Sequence, residues 1–125
     1  VECACVAKEV PDLRRDASEK TTNEDDEALR CAACGHEVAK RRDAMEMSGA
    51  HQHTFVNPNG VVFDVICFRE AAGCVEVGDE DATFTWFPGW TWQIAICGSC
   101  RAHLGWKFRL VPDAFWGLIR TQLNG

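Results

Sequence analysis

The stretch FTWFPGWTWQIAICGSCRAHLGWKF, residues 84–108, decides how the rest of the chain is organised. It holds four of the five tryptophans and one complete Cys-x-x-Cys pair, Cys97 and Cys100. No other part of the sequence is as dense in aromatic and ligand-capable side chains. A tight turn between two cysteines lets both thiolates face one metal ion, so the pair indicates half of a structural metal site. The tryptophans around it predict an aromatic box for a ligand.

An earlier pair, Cys31 and Cys34, predicts the second half of the metal site, with 62 residues between Cys34 and Cys97. Four thiolates complete the tetrahedral shell that Zn²⁺ takes in structural sites and leave no position open for water. Such a site clips the start of the domain to its later half and stabilises the fold directly. A redox disulfide is the rival interpretation of each pair, but two pairs in one small domain favour zinc. His36 and His103 lie near the pairs and could replace a cysteine, although a packed or exposed histidine is the commoner outcome.

Length, charge and cysteine usage limit the class of protein. The 125 residues suit one domain, and the net charge of -6 argues against nucleic acid as a partner, because phosphate binding needs a basic face. Eight cysteines would suit a disulfide framework in a secreted chain, but no leader with a cleavage site is recognised. No apolar run approaches the roughly 18 residues of a membrane helix. We therefore expect a zinc-bound, cytoplasmic protein with no membrane partner.

The acidity is concentrated at the start of the chain. Residues 1–28 carry nine acids and four bases and show no sustained hydrophobic period. They predict a flexible acidic arm, because such a segment cannot bury enough apolar surface to order itself. Cys3 and Cys5 are interpreted as idle thiols on that arm. Residues 29–125 are the predicted folded domain.

Short strands between turn residues predict an all-β domain. The clearest strand, VVFDVICF at 61–68, closes a hairpin with 51–56 over the turn Asn57-Pro58-Asn59-Gly60. His51 and His53 share one face of the strand 51–56 and are interpreted as surface residues. The pattern at 37–47 fits either a helix or a strand, and a strand is favoured because paired cysteine turns usually sit on hairpins. Further strands are predicted at 91–97, 103–111 and 116–123, with a short strand within a loop at 74–77 and a short helical turn beginning in 112–115.

Three tryptophans are placed to form the aromatic box. Trp86 precedes the turn Pro88-Gly89 and Trp92 follows it, so both can project from one loop mouth. Trp106 and Phe108 are two residues apart on a predicted strand and therefore share a face. The alternative is that these rings are simply core aromatics. Three indoles around Pro-Gly and Gly-Trp are more than a small core needs, and indole walls suit a flat ring or a cation.

These motifs together resemble the thalidomide-binding (CULT) domain of the cereblon family. The matching order is a Cys pair, a VNPNG turn, WFPGWTW, a second Cys pair, HLGWKF and FWGL, and it covers the chain from Leu29 to Leu123. The resemblance implies a β-tent, in which two antiparallel sheets are pinned by a Cys₄ zinc site. It implies zinc ligands and cage residues as follows: Cys31, Cys34, Cys97 and Cys100 for the metal; Trp86, Trp92 and Trp106 for the cage.

The family's ligands are cyclic imides such as glutarimide and thalidomide-type compounds, and imides at protein C-termini belong to the same class. The resemblance implies that the imide ring sits between the three indoles. Its N–H and carbonyls would pair with backbone groups of Phe84 and Trp86, around Thr85, while Asn57 and Phe108 line the pocket edge. The chemistry of an imide suits such a site: aromatic walls bury the methylene groups of its ring, and its polar edge is hydrogen-bonded rather than left unsatisfied.

The sequence also departs from the family pattern. Phe84 stands where the family's human member has a histidine, so only its backbone contact is carried over. Trp90 replaces a tyrosine at the outer side of the pocket. The resemblance covers neither a Lon-like domain nor an adaptor-binding helical region. We therefore expect a stand-alone, bacterial or minimal member without the ubiquitin-ligase receptor role.

We expect a non-catalytic binding module with no catalytic residue, and two alternatives remain. The β-tent is similar to the fold of methionine-R-sulfoxide reductases, which add a catalytic cysteine to a Cys₄ zinc. Cys67 and Cys74 are the spare thiols of the domain, but Cys67 lies in an apolar strand and indicates a buried small hydrophobe. The second alternative is a cage for methylated ammonium groups. Asp79, Glu80 and Asp81 precede the cage and could supply the carboxylate that it needs.

Overall fold

The computed structural model describes residues 27–125, which form nine β-strands and two 3-10 turns. The strands are β1 (Ala28–Cys31), β2 (Glu37–Lys40), β3 (Gln52–Val56), β4 (Val62–Phe68), β5 (Cys74–Asp81), β6 (Thr91–Cys97), β7 (His103–Leu110), β8 (Asp113–Ile119) and β9 (Leu123–Asn124). The 3-10 turns are Arg41–Asp43 and Arg120–Gln122. The predicted arm lies outside the described residues except for its last two, and Ala28 already begins β1. Cys3 and Cys5 also lie outside them.

The strands form two antiparallel sheets, which confirms the predicted all-β, β-tent class. One sheet has the order β2-β1-β9 and the other has the order β3-β4-β8-β7-β6-β5. Cys31 ends β1 in the first sheet and Cys97 ends β6 in the second. Beside them, the Gly73 N–H donates to the Val38 carbonyl at 3.1 Å, and the Gly98 N–H donates to the Gly73 carbonyl at 2.9 Å. The two sheets are therefore joined at the cysteine pairs.

The hairpin β3–β4 forms as predicted. Its strands pair Val56 with Val62 next to the turn, and the Gly60 N–H donates to the Asn57 carbonyl at 2.9 Å. Gly60 has a φ of 84°, which a residue without a β-carbon adopts at little cost. The Asn57 side-chain oxygen accepts hydrogen bonds from the N–H groups of Asn59 and Val61, both at 2.9 Å. Turn chemistry thus fixes the end of the hairpin.

The predicted helical turn at 112–115 is wrong, because this segment joins the large sheet. β8 begins at Asp113 and pairs with β7 so that Phe115 lies opposite Phe108. Both rings are 1% exposed and stack with their centroids 5.0 Å apart. The strand ends at Ile119 rather than at residue 123, because a 3-10 turn intervenes before β9. Cross-strand burial outweighs the local turn preference of Pro112-Asp113.

Three other local predictions need correction. β2 ends at Lys40, and a 3-10 turn follows, so the predicted strand 37–47 is only partly present. β5 is longer than predicted, and its pairing with β6 is interrupted by a bulge between Val77 and Asp81. His51, just before β3, and His53 in β3 are half-buried rather than at the surface: His51 packs edge-on against Phe68 at 5.6 Å, and His53 stacks on Phe55 at 5.3 Å. Their ring nitrogens pair with backbone carbonyls of the preceding loop.

The core falls into two clusters of buried side chains. The larger one lies beneath the cysteine pairs and spans both sheets; it includes Leu29, Val38, Phe68, Leu104, Trp116 and Leu118. The smaller one contains Cys67, Phe87, Phe108 and Phe115, and the tryptophans Trp86, Trp90, Trp92 and Trp106 pack against it. The predicted ligand cage is therefore built on the smaller cluster.

Candidate functional site: zinc centre and aromatic cavity

The two Cys-x-x-Cys pairs adopt the same backbone turn. In the first, the Gly35 N–H donates to the Cys31 carbonyl at 2.8 Å; in the second, the Arg101 N–H donates to the Cys97 carbonyl at 3.0 Å. The residue after the second cysteine has a left-handed backbone in both turns, with φ of 80° at Gly35 and 68° at Arg101. Each turn brings its two thiols to one side of the loop. The sequence signal of two equal pairs thus corresponds to two equal structures.

The four sulfurs form one cluster with the dimensions of a zinc site. The Sγ atoms of Cys31 and Cys100 are 3.7 Å apart, those of Cys34 and Cys97 are 3.6 Å apart, and all four lie within 4.8 Å of one another. Zinc–sulfur bonds of about 2.3 Å in a tetrahedron place the sulfurs roughly 3.8 Å apart, so the cluster matches Zn²⁺ closely. The distances are too long for disulfides, which are about 2.05 Å. With four protein ligands, the zinc is structural.

The backbone prepares Cys97 to act as a thiolate. Burial works against ionisation there, but the N–H groups of Cys100 and Ser99 point at its sulfur at 3.5 Å and 3.4 Å. These hydrogen bonds lower the pKa of Cys97 to about 6. A thiolate at neutral pH is the form that binds zinc. His36 and His103 are not part of the cluster, so the predicted all-cysteine ligand set is the one present.

The two spare thiols of the domain are unsuited to redox chemistry. Cys67 is fully buried in the smaller core cluster, and burial raises its pKa to about 11. Cys74 is 7% exposed, and burial together with the neighbouring cysteines Cys97 and Cys31 raises its pKa to about 12. Both are protonated at neutral pH and lack the exposure of reactive cysteines. Neither thiol lines the aromatic cavity.

A cavity of about 460 Å³ lies at the predicted cage. Six of the seven predicted ligand-binding residues line it, namely Asn57, Phe84, Trp86, Trp92, Trp106 and Phe108. The seventh, Thr85, is not in the lining, because its hydroxyl turns towards the backbone of Phe87. Four lining residues were missed by the sequence analysis: Pro58, Phe63, Ile94 and His103. Trp90 packs edge-on against Phe115 at 5.1 Å and is not among the lining residues, so its place at the outer side of the pocket stays a prediction.

Two cage walls, Trp92 and Trp106, stand on the hairpin β6–β7, one before and one after the second zinc turn. Trp92 lies opposite Phe108, and Ile94 lies opposite Trp106, so all four side chains share one face of the sheet. The Trp92 indole N–H donates to the Thr83 carbonyl at 2.7 Å, which fixes the ring orientation. Gly105 of β7 comes so close to the neighbouring strand β8 that a β-carbon on it would lie 2.1 Å from the carbonyl oxygen of Gly117. The hairpin is therefore tightly docked.

The third wall, Trp86, is held from another part of the fold. Its ring meets Trp106 at 4.8 Å and 84°, so the two indoles form a corner. Phe55 of β3 stacks in parallel behind Trp86 at 4.7 Å and 7°. The Trp86 indole N–H donates to the Val56 carbonyl at 3.2 Å. His53 lies on the same face of β3 and stacks on Phe55 at 5.3 Å, so a histidine and a phenylalanine support the cage from outside.

Two residues that line the cavity carry unpaired backbone groups. Within residues 27–125, the N–H and carbonyl groups of Phe84 and Trp86 have no hydrogen-bond partner. Phe84 has a φ of 59°, a conformation that is costly for a bulky residue and turns the backbone locally, and its side chain is 71% exposed. By contrast, the Asn57 oxygen is already used in the turn. The arrangement offers donors and acceptors beside apolar walls.

Comparison with known proteins agrees with this geometry. Residues 27–122 match the family Yippee-Mis18, described as Yippee zinc-binding/DNA-binding/Mis18, centromere assembly. The chain is 33% identical to the cereblon of Danio rerio over 103 residues, 77% of this chain and 24% of that protein. It is 40% identical to the cereblon of Xenopus tropicalis over 75 residues, and 32% identical to that of Drosophila melanogaster over 113 residues. These matches cover 56% and 84% of this chain, and 17% and 19% of the relatives.

The chain thus spans about a quarter or less of the length of the cereblons that it matches. Neither helical turn in residues 27–125 is long and apolar enough to cross a membrane. The zinc cluster, the two sheets and the family match all lie in the same residues. The chain therefore belongs to the Yippee-Mis18 family, as a cereblon-like domain with a Cys₄ zinc site.

Proposed function

We propose that this domain is a non-catalytic module that binds small cyclic imides in the aromatic cavity. The observation that carries the proposal is the pairing of a corner of indoles with unpaired backbone groups at one rim. Trp86, Trp92 and Trp106 supply flat apolar walls, while Phe84 and Trp86 offer backbone N–H and carbonyl groups. An imide presents one donor between two acceptors, which complements that edge, and its methylenes suit the walls.

A glutarimide titration followed by isothermal calorimetry tests the proposal on the zinc-loaded protein. We expect saturable binding of glutarimide and binding weaker by about tenfold to a hundredfold for N-methylglutarimide, because losing the N–H leaves a buried acceptor unsatisfied. Trp92→Ala should abolish binding. Trp90→Ala is the matched control, since Trp90 packs beside the cavity without lining it. Equal binding of the two imides, or no binding by a folded, zinc-loaded protein, would refute the proposal.

The two alternatives have less support. A reader of methylated ammonium needs a carboxylate in the cage, and none is among the cavity's described lining residues. Glu80 instead pairs with Thr91 and Arg109, and Asp81 caps the backbone of Thr83. A sulfoxide reductase needs an accessible thiolate, whereas Cys67 is buried and protonated. Trimethyllysine binding and methionine sulfoxide turnover are the assays that would favour them.

The expected surroundings of the domain follow from the same chemistry. Zinc thiolates persist in reducing compartments, which supports a cytoplasmic location. The net charge of -6 speaks against nucleic acid as the ligand. We infer a small imide, free or at the end of a polypeptide, as the partner of the cavity.

A further inference from the structure

A second cavity, of about 440 Å³, lies between the two sheets and shares no lining residue with the aromatic one. This volume falls within the roughly 300–1,000 Å³ that is typical of small-molecule sites. Strands β1 and β9 of the small sheet and β3 and β4 of the large sheet contribute to its lining. Its floor is apolar and contains Leu29, Ile66 and Phe68, each at most 7% exposed. The junction of the sheets therefore offers a second concave surface on which an apolar group can be buried.

The rim of this second cavity is basic. Arg41 and Arg120 line it, and no acidic side chain is among its described lining residues. Arg41 is already paired: its Nε donates to the Glu27 carboxylate at 2.7 Å, and its guanidinium also donates to the Gly125 carbonyl. Because Glu27 compensates the charge of Arg41, the side chains at the rim are left with one uncompensated positive charge, that of Arg120.

Arg120 and Gln52 are the unpaired polar side chains of the lining. Arg120 is exposed, and its guanidinium forms no hydrogen bond or ion pair in the described part of the chain. The Gln52 side-chain amide likewise has no partner there. A guanidinium presents a planar fork of N–H donors that matches the two oxygens of a carboxylate. The pair formed by Arg41 and Glu27 shows the same chemistry at the same rim.

An aromatic pair forms one wall between the floor and the rim. The His51 ring packs edge-on against Phe68, with the centroids 5.6 Å apart, and both residues line the cavity. The His51 Nδ1 lies 3.0 Å from the Met45 carbonyl oxygen, which can only accept, so this nitrogen carries the proton and the bond fixes the ring. A fixed pair of rings is a preformed surface for a flat or branched apolar group.

We propose that the second cavity binds a small monocarboxylate with an aromatic or branched aliphatic body. The body lies on the floor formed by Leu29, Ile66 and Phe68. The carboxylate pairs with the Arg120 guanidinium and accepts a hydrogen bond from the Gln52 amide. One negative charge matches the one uncompensated positive charge at the rim, whereas a neutral ligand leaves the guanidinium unpaired. The site is separate from the aromatic cavity, so it does not depend on imide binding.

A titration of the isotope-labelled, zinc-loaded full chain with phenylacetate, followed by heteronuclear NMR, tests the proposal. We expect saturable shifts of the amide signals of 28–31, 51–52 and 120–125, and none of the indole N–H signals of the cage tryptophans. Phenylacetamide has the same body without the charge, and acetate has the charge without the body. Each should bind about tenfold more weakly or worse, because each lacks one half of the contact. Arg120→Gln should weaken phenylacetate binding about tenfold and leave phenylacetamide binding unchanged.

Arg101→Gln is the matched control, because Arg101 is an exposed arginine at the second zinc turn and does not line the cavity. It should bind phenylacetate as the unaltered chain does. Equal affinity for phenylacetate and phenylacetamide would mean apolar contact alone, and equal affinity for phenylacetate and acetate would mean a surface anion contact alone. Either result would overturn the proposal. Shifts confined to the cage tryptophans, or no saturable shift in the folded, zinc-loaded protein, would do the same.

Discussion

Gly73, in the turn just before β5, lies directly against the backbone of β2, and this contact predicts a sharp effect of one added methyl group. A β-carbon at Gly73 would lie 2.0 Å from the Glu37 carbonyl oxygen and 2.6 Å from the Val38 Cα. Both are backbone atoms, so no side chain can rotate away. The Gly73 carbonyl also accepts a hydrogen bond of 2.9 Å from the N–H of Gly98, which lies in the second zinc turn. Gly73→Ala should therefore force the sheets apart at the zinc site.

The expected cost follows from two effects. Inserting a methyl group into a packed position typically costs about 1–3 kcal/mol of unfolding free energy. The two hydrogen bonds of Gly73, to Val38 and from Gly98, contribute about 0.5–1.5 kcal/mol each and would be strained or lost. We expect Gly73→Ala to lower the free energy of unfolding by about 3 kcal/mol, a large part of the roughly 5–15 kcal/mol of a typical domain.

Urea unfolding at fixed zinc concentration, followed by circular dichroism, measures this loss. Gly78→Ala is the matched control: its β-carbon meets nothing within 4 Å, but its φ is 78°. It should cost only about 1–2 kcal/mol, from the left-handed backbone. A chelator competition should also show weaker zinc binding for Gly73→Ala than for Gly78→Ala. If both variants lose the same stability and keep the same zinc affinity, the close approach does not hold the sheets together, and the reasoning fails.

Three further predictions address the zinc and the cage. Removal of zinc with a chelator should unfold most of the domain, because structural zinc contributes about 10–16 kcal/mol in zinc-finger peptides, which is comparable with a whole domain's stability; the far-UV signal should return when zinc is added back. Phe55→Ala should weaken imide binding about three- to tenfold in calorimetry, since the parallel ring behind Trp86 is worth about 0.5–1.5 kcal/mol, whereas Val61→Ala should leave it unchanged. Arg101→Gly should raise the free energy of unfolding by up to about 1 kcal/mol, and Gly35→Ala should lower it by about 1 kcal/mol, because both positions need a left-handed backbone.

Each of these has an outcome that contradicts it. A native far-UV spectrum in the presence of excess chelator, with zinc shown to be absent, would mean that the sheets hold without the metal. Unchanged imide affinity in Phe55→Ala would show that Trp86 does not depend on its stacking partner. A loss of stability in Arg101→Gly would mean that the arginine side chain makes a contribution greater than the backbone cost.

The zinc site was predictable because its information is local. Each Cys-x-x-Cys pair specifies its own turn, and Gly35 fits the left-handed position that the turn requires. Two such turns in one domain supply the four thiolates of a tetrahedral zinc site, so the site could be predicted without knowing the sheets. The hairpin over NPNG was predictable for the same reason, because Asn57 and Gly60 make its hydrogen bonds within a few residues.

The segments that failed depend on partners far away in sequence. Pro112-Asp113 resembles the start of a helical turn, but Phe115 is buried only when it lies opposite Phe108. His53 resembles a surface residue until the loop before β3 supplies carbonyls for its ring nitrogen and Phe55 and Phe87 enclose the ring. Both outcomes are set by tertiary packing, which overrides local preference.

The cavity was predicted in part, for the same reason. The tryptophans were visible because they are rare and clustered, whereas Phe63 and His103 come from β4 and β7 and join the lining only through the fold. Nothing in the sequence marks Phe55 as part of the cage, because aromatic residues are common in strands of every kind. The alternation of side chains along a strand places His53 and Phe55 on one face of β3, but the sequence does not show which residues cover that face.

The cage combines two walls that the zinc turn helps to position with a third that it does not. Trp92 and Trp106 stand on the β6–β7 hairpin, whose connecting turn contains two of the zinc ligands, so the metal and the sheet define their positions together. Trp86 lies on the loop before β6 and is placed by Phe55 and the Val56 carbonyl of the edge strand β3. Free energy needed to hold that wall reduces the affinity of any ligand that requires it. It follows that changes at β3 alter ligand affinity without touching ligand or zinc, whereas changes at the zinc turns alter stability first.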